Sequence, residues 1–356
     1  MKKILLGCLA AGVLFAAAAC AARPKLHILN WGDYMDRTLV AEFEDRYDVE
    51  VVYRTVGSNE EMASLIEASS SHYDIAIPSD YMIDRLADLG LIQPIDFDRI
   101  PNYGDLTVMP RLAGLYGATP WADYAVPYAW GTIGILYDTT IPGLADFIEA
   151  RSWDALFTAG DAYDVGMYDS ARDAVAAALL SYGFDVNSTD EEELAMAEDL
   201  LLHAGFTAWG EDSLRELVVS GTLDLALVYS GDYFSEYAAA TAAGRAITFD
   251  YYVPSTTNVW LDAICIPTNA QDLDLAYLFI DFMLDDEHAL QNSVYIGYAP
   301  PFSEHFAAVT AESAFAHDMS AFDPYPAGSV RQMYEYVSAA RSDALEAILA
   351  RAKAGE

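Results

Sequence analysis

Asn30-Trp31-Gly32-Asp33-Tyr34 follows the apolar run Leu26 to Leu29, and its residue types suit the capture of a cation. An aromatic face attracts an ammonium through the ring quadrupole, and a carboxylate pairs with it through a charge-assisted hydrogen bond. The combination recurs twice. The strand-like stretch Leu223 to Tyr229 leads into Ser230-Gly231-Asp232-Tyr233, an aromatic followed by a glycine turn and a carboxylate. In Trp260-Leu261-Asp262 the ring and the acid are two apart, and residues two apart on a strand share a face. One copy is ordinary core chemistry. Three copies in one chain point to a cleft lined by rings and separated carboxylates.

Strand ends are the elements that would position such groups. From Leu26 the pattern runs strand, helix, strand, helix, strand: Val49 to Thr55 is β-branched and apolar, Ser58-Asn59-Glu60-Glu61 is a capping box, and Tyr73 to Ile77 reads as a buried parallel strand closed by Pro78. This alternation predicts an α/β fold with a mostly parallel sheet and flanking helices, its ligands bound beyond the strand ends. Ser79 and Tyr81 then join Trp31, Asp33 and Tyr34 on that edge. Asp96 to Ala122 reads as irregular surface. Tyr124 to Tyr137 reads as one long β segment broken by Gly131 and Gly134, passing into a second lobe near Trp130 to Ile135. A second α/β unit follows, with a short strand at Asp164 to Tyr168, a helix over Asp169 to Tyr182 and capping boxes at Thr189-Asp190-Glu191-Glu192 and Ser213-Leu214-Arg215-Glu216. The strand Val259 to Ile266 returns to the first lobe, and a terminal helix is expected from Ser329 to Ala352, bearing Met333, Tyr334 and Glu335.

Composition sets the bounds. The chain has 356 residues, 54% of them hydrophobic, and a formal net charge of −37; that length supports two cores. Lys2 and Lys3 precede the uncharged run Ile4 to Ala19, which ends at Cys20, the layout of an export signal over 1–19. Its loss removes two lysines and no acid, leaving −39. Such a chain repels nucleic acid and anionic lipid and draws cations to its clefts. Cys8 lies in the signal and Cys265 stands alone in the body, so no internal disulfide is expected. The histidines lack metal-ligand spacing, and there is no nucleophile elbow or phosphate loop. No catalytic residue, metal or cofactor is therefore expected, and the reading is a binding protein, not an enzyme.

The sequence resembles the spermidine- and putrescine-binding periplasmic proteins of bacterial ABC importers. Asn30 to Tyr34, Tyr73 to Tyr81, Pro127-Tyr128-Ala129-Trp130-Gly131, Trp260-Leu261-Asp262 and Ile296-Gly297-Tyr298 carry the resemblance. It implies a two-lobe periplasmic binding protein fold, type II-like, hinged by crossing strands, with 23–131 plus 258–304 as lobe 1 and 132–257 plus 305–356 as lobe 2. It implies an aromatic box of Trp31, Tyr34, Tyr81, Tyr229, Trp260 and Tyr298. Asp33, Asp173, Asp232, Asp262 and Glu335 become ammonium partners, and Ser79 an amine hydrogen-bond partner. The implied partners are a polyamine, the transmembrane subunits of an ABC permease and, through acylation of Cys20, a membrane; simple cleavage to a soluble protein is the alternative at Cys20, where Ala17 departs from the usual lipoprotein signal. Ser170 stands where spermidine binders carry an acid, so putrescine is expected to bind at least as tightly as spermidine; Glu335, where they carry Gln, works in the opposite direction by offering the triamine a further acid. The alternative is a protein or sensor of the same fold for another small cation.

Overall fold

The computed structural model describes residues 23–68, 72–311 and 330–355; the expected signal at 1–19 and Cys20 lie outside them. In chain order the strands are β1 (Lys25–Asn30), β2 (Glu50–Thr55), β3 (Ile75–Ala76), β4 (Ile92–Gln93), β5 (Ala125–Gly131), β6 (Ile133–Asp138), β7 (Val165–Tyr168), β8 (Ala208–Gly210), β9 (Leu225–Tyr229), β10 (Phe249–Tyr252), β11 (Thr256–Pro267) and β12 (Val330–Met333). Among the described residues they form two sheets, one in the order β12-β11-β3-β1-β2 with β4 and β5 also on β11, the other β10-β6-β9-β7-β8.

The architecture is the two-lobe α/β fold. Both sheets are mixed, where mostly parallel sheets were expected. β1 runs parallel to β2 and β3, and β7 parallel to β8 and β9, as helical crossovers require. The strands that pass between lobes run against them: β11 is antiparallel to β3, β4 and β5, and β6 is antiparallel to β9 and β10. Side chains of β1 explain its central place, since Leu26, Ile28 and Leu29 are fully buried. One core, with Phe43, Ile264 and Phe279, lies against the first sheet. A larger one runs from Met82 through Trp130 and Trp260 to Leu179 and Leu227, continuous across the crossing.

The segment Tyr124 to Tyr137 is two strands, β5 and β6, with Thr132 between them. Thr132 is fully buried and ties the two crossing strands together. Its Oγ1 lies 2.9 Å from Asn258 Oδ1 and 2.9 Å from Thr257 Oγ1, and the Ile133 N–H donates to Asn258 Oδ1 at 2.9 Å.

Local signals held unevenly. Ser58 caps the helix Asn59–Glu67, accepting the Glu61 N–H at 3.1 Å. Asp190, the second residue of the next predicted box, caps Glu191–His203. The third box does not form: the helix Ser213–Val219 starts at Ser213, with Asp212 before it and no side-chain cap. Within the stretch expected to be irregular, Pro110–Tyr116 is a short helix. The C-terminal expectation fails at its start. Val330–Met333 is a strand, pairing in parallel with Thr256–Val259, and the terminal helix runs only over Ala339–Ala354, capped by Ser338. A free edge of β11 outweighs local helix preference there.

Candidate binding cleft

A cavity of about 1110 Å³ opens between the two sheets. Of the residues expected to bind ligand, Trp31, Asp33, Tyr34, Ser79, Tyr81, Tyr229, Asp232, Trp260, Asp262, Tyr298 and Glu335 line it, and Asp173 does not. Its walls carry nine carboxylates against four basic side chains, so the cleft itself is acidic.

The rings form one connected wall, edge against face. Tyr34 and Tyr298 have centroids 5.6 Å apart, Tyr298 and Trp260 5.0 Å, Trp260 and Tyr229 5.9 Å, and Tyr229 and Tyr168 4.9 Å, with interplanar angles of 72°, 76°, 84° and 73°. Each ring comes from a separate element: Tyr34 from beyond β1, Trp260 from β11, Tyr229 from the end of β9, and Tyr298 from the turn after the helix Asp286–Ile296. Gly231 makes the wall possible. A Cβ there would lie 2.3 Å from the Tyr298 ring. Gly231 sits in the first turn of the helix Ser230–Ala242, where the sequence suggested a glycine turn. Trp31 is fixed differently, its Nε1 donating to the Ile77 carbonyl at 2.9 Å.

Asp262 is the free anion of the wall. It is 7% exposed, and its Oδ1 has no hydrogen-bond partner among the described residues. The Tyr34 hydroxyl and Trp260 Nε1 are buried in the same condition. Burial pushes the Asp262 carboxyl up to about 7, while the neighbouring Tyr34 and Ser79 hydroxyls and the Arg172 charge pull the other way. Buried polar atoms normally find partners. A donor, an acceptor and an anion left open together around aromatic faces form a seat for a ligand that donates hydrogen bonds and carries positive charge. Ser79 borders it, paired through its backbone with Asp262 and held by Asn59, whose Nδ2 lies 3.1 Å from Ser79 Oγ.

Two expected ammonium partners are already engaged. Asp173 is fully buried. Its carboxylate accepts Ser170 Oγ at 2.6 Å, the Tyr229 hydroxyl at 2.7 Å, the Tyr334 hydroxyl at 3.0 Å and Arg172 Nη2 at 3.2 Å. Burial alone would raise its pKa, but Arg172 and the hydroxyls outweigh that and hold it below the ordinary range. Asp232 pairs with Arg215 Nη1 at 2.9 Å and accepts the Tyr229 N–H at 2.9 Å. Burial, then the nearby Asp212 charge, still hold its carboxyl above the ordinary range. Asp33 and Glu335 are exposed at the rim. Tyr81 donates to Glu60 at 3.3 Å.

Arg172, Arg215, Tyr168 and Tyr334 are cleft residues that sequence reasoning missed as site residues. A signal for the arginines existed: with 18 basic residues against 55 acidic ones, an arginine beside a site acid is rare enough to note.

A bacterial extracellular solute-binding protein family matches residues 38–318. The spermidine/putrescine-binding periplasmic protein of Escherichia coli K12 is 30% identical over 310 residues, 85% of each chain. The putrescine-binding periplasmic protein SpuD of Pseudomonas aeruginosa UCBPP-PA14 is 28% identical over 295 residues, 80% of each. The crystal structure of the Tp0655 (TpPotD) lipoprotein of Treponema pallidum superposes with a TM-score of 0.76 at 27% identity, covering 92% of this chain and 99% of that one. With a matched family over most of its length, and a ring-lined cleft between two lobes, the chain belongs to the bacterial extracellular solute-binding proteins, among the spermidine- and putrescine-binding periplasmic group.

Proposed function

We propose that this protein captures a polyamine, putrescine or spermidine, in the cleft between its lobes and delivers it to the transmembrane subunits of an ABC importer. The observation that carries this reading is the seat at Asp262: one buried carboxylate with a free oxygen, beside the Tyr34 hydroxyl and the unpartnered Trp260 Nε1, in a wall that the Tyr298 ring extends. A polyamine suits it chemically. It is a methylene chain ending in ammonium groups, so it needs flat apolar walls and a carboxylate, and a partly desolvated cation-π contact adds about 1 to 2 kcal/mol to a charge-assisted hydrogen bond of about 1.5 to 3. Relatives whose names specify spermidine and putrescine support the same class. We further propose lobes of 23–131 plus 258–304 and 132–257 plus 305–356, and a lipid anchor at Cys20 after removal of 1–19, which leaves the mature protein outside the cytoplasm on a membrane.

Calorimetric titration of the mature protein with putrescine and spermidine tests the ligand class. Saturable binding of at least one at micromolar concentration or below is expected. Absence of heat and of thermal stabilisation with both would remove the polyamine reading.

A further inference from the structure

Arg172 sits in a cation seat made by the chain itself. Its guanidinium carbon lies 4.9 Å from the centroid of the Tyr81 ring and 4.7 Å from that of Tyr334. Its Nη2 donates to the Tyr229 hydroxyl at 3.1 Å and to Asp173 Oδ2 at 3.2 Å, and its Nε lies 3.4 Å from Asp173 Oδ1. Two ring faces, a phenol and a buried carboxylate are the chemistry that would hold a ligand ammonium. The carboxylate of Asp232 is taken in the same way by Arg215, 2.9 Å away. Both guanidinium side chains stay partly open to the cleft, at 22% and 27% exposure. The wall is thus asymmetric. At Asp262 the acceptor is open and its neighbours are unpartnered; beyond Tyr229 the acid is filled.

We propose that Arg172 determines specificity by occupying the second cation seat from within, so that the cleft anchors its ligand by one ammonium, at Asp262, and further ammonium groups add little. The inference rests on the polyamine reading and narrows it: the cleft rewards an amine head on an apolar chain, not the number of charges. A second ligand ammonium finds a carboxylate already neutralised and the edge of a guanidinium, and like charges disfavour one another. Removing the Arg172 charge leaves Asp173 with three hydroxyl donors, Ser170, Tyr229 and Tyr334. The carboxylate keeps those donors, and the space that the guanidinium leaves beside the Tyr81 and Tyr334 rings becomes the second cation seat.

Calorimetric titrations of butylamine, putrescine and spermidine form a series with one, two and three ammonium groups. In the wild type the three affinities are expected to agree within about threefold, under about 0.7 kcal/mol across the whole series. In Arg172→Gln putrescine is expected to exceed butylamine by tenfold or more. Arg99→Gln, which removes an exposed charge paired with Asp274 away from the cleft, should keep the wild-type ratios. A tenfold step from butylamine to putrescine in the wild type overturns the proposal, as does an unchanged ratio in Arg172→Gln. Should that variant fail to fold, the wild-type series decides alone. If none of the three binds, the polyamine reading falls and takes this one with it; tight, charge-graded binding overturns only the role of Arg172.

Discussion

Asp80 accepts the backbone N–H of Leu261 at 3.3 Å, so a second, fully buried carboxylate stands behind the strand that presents Trp260 and Asp262. It also accepts the Tyr81 N–H at 2.8 Å. Burial pushes its carboxyl up to about 8, against the pull of the Arg172 charge and the Tyr81 N–H and with a further push from Asp262. Three carboxyls of ordinary pKa 3.8, Asp80 behind the strand and Asp232 and Asp262 in the cleft, are therefore raised toward neutrality.

The pH dependence follows from the sign of these shifts. All three groups bind a proton more tightly folded than unfolded, so the stability they contribute is full below about pH 4 and is lost as pH rises through about 7 to 8. An ammonium ligand selects the ionised form of Asp262. Affinity is expected to rise up to about tenfold per pH unit below pH 7 and to level off above it, with protons released on binding. Calorimetry in buffers of different ionisation heat measures that release, and an affinity independent of pH across this window would rule out Asp262 as the anchor.

Asp262→Asn keeps the shape of the seat and removes its charge. Loss of a charge-assisted bond predicts weakening of putrescine by tenfold or more, about 1.5 to 3 kcal/mol, together with a flatter pH profile. Asp274→Asn, at an exposed ion pair with Arg99, is expected to change little. Equal effects from the two substitutions would misplace the site.

Gly231→Ala puts a methyl group 2.3 Å from the Tyr298 ring. The ring must move, which breaks its contact with Trp260, and overpacking of this kind costs about 1 to 3 kcal/mol. A lowered melting temperature with binding reduced beyond that of other helix alanine variants is expected, and tryptophan fluorescence should report the displaced Trp260. Wild-type fluorescence and affinity would show that the wall tolerates the methyl group.

Thr132→Val removes the hydroxyl that joins the crossing strands while keeping the side chain's shape. Unfolding in urea should show a loss of about 1 to 3 kcal/mol, the cost of leaving buried polar groups without a partner. An unchanged midpoint would mean that the Ile133 N–H to Asn258 bond holds the crossing alone.

Cys20→Ala tests the anchor. Growth with a palmitate analogue should label the wild type and leave the variant unlabelled in the soluble fraction. Equal labelling of both would place the lipid elsewhere or nowhere.

Much of the cleft was legible because strand ends and the period of two are local properties: Trp260 and Asp262 face one way on any strand, and Trp31 to Tyr34 follow an apolar run in any α/β reading. The neutralised acids were not legible. On a helix, successive side chains diverge by about 100°, so spacing gives no reason for Arg172 to fold back on Asp173, and Arg215 meets Asp232 only through the packing of two helices. Ser170 shows the same limit. A neutral residue there suggested a missing ammonium partner, yet its hydroxyl caps the helix and donates to Asp173 at 2.6 Å; an acid in its place would face that carboxylate. Val330–Met333 was misread because a short apolar-polar run takes its form from the edge it meets, and that edge, β11, lies more than sixty residues earlier.

Asn258 and Trp260 are two positions apart on one strand, so the ring that walls the amine seat stands beside the bonds that tie the crossing strands together. Rotation about a pivot displaces a point in proportion to its distance from it. Were the lobes to turn about this crossing, the bottom of the cleft would keep nearly constant geometry, while rim groups such as Glu60 and Glu335 would sweep the longest arc. An amine can lodge in the open form against a wall already in its final shape. What such a swing would add is enclosure, with no rebuilding of the floor.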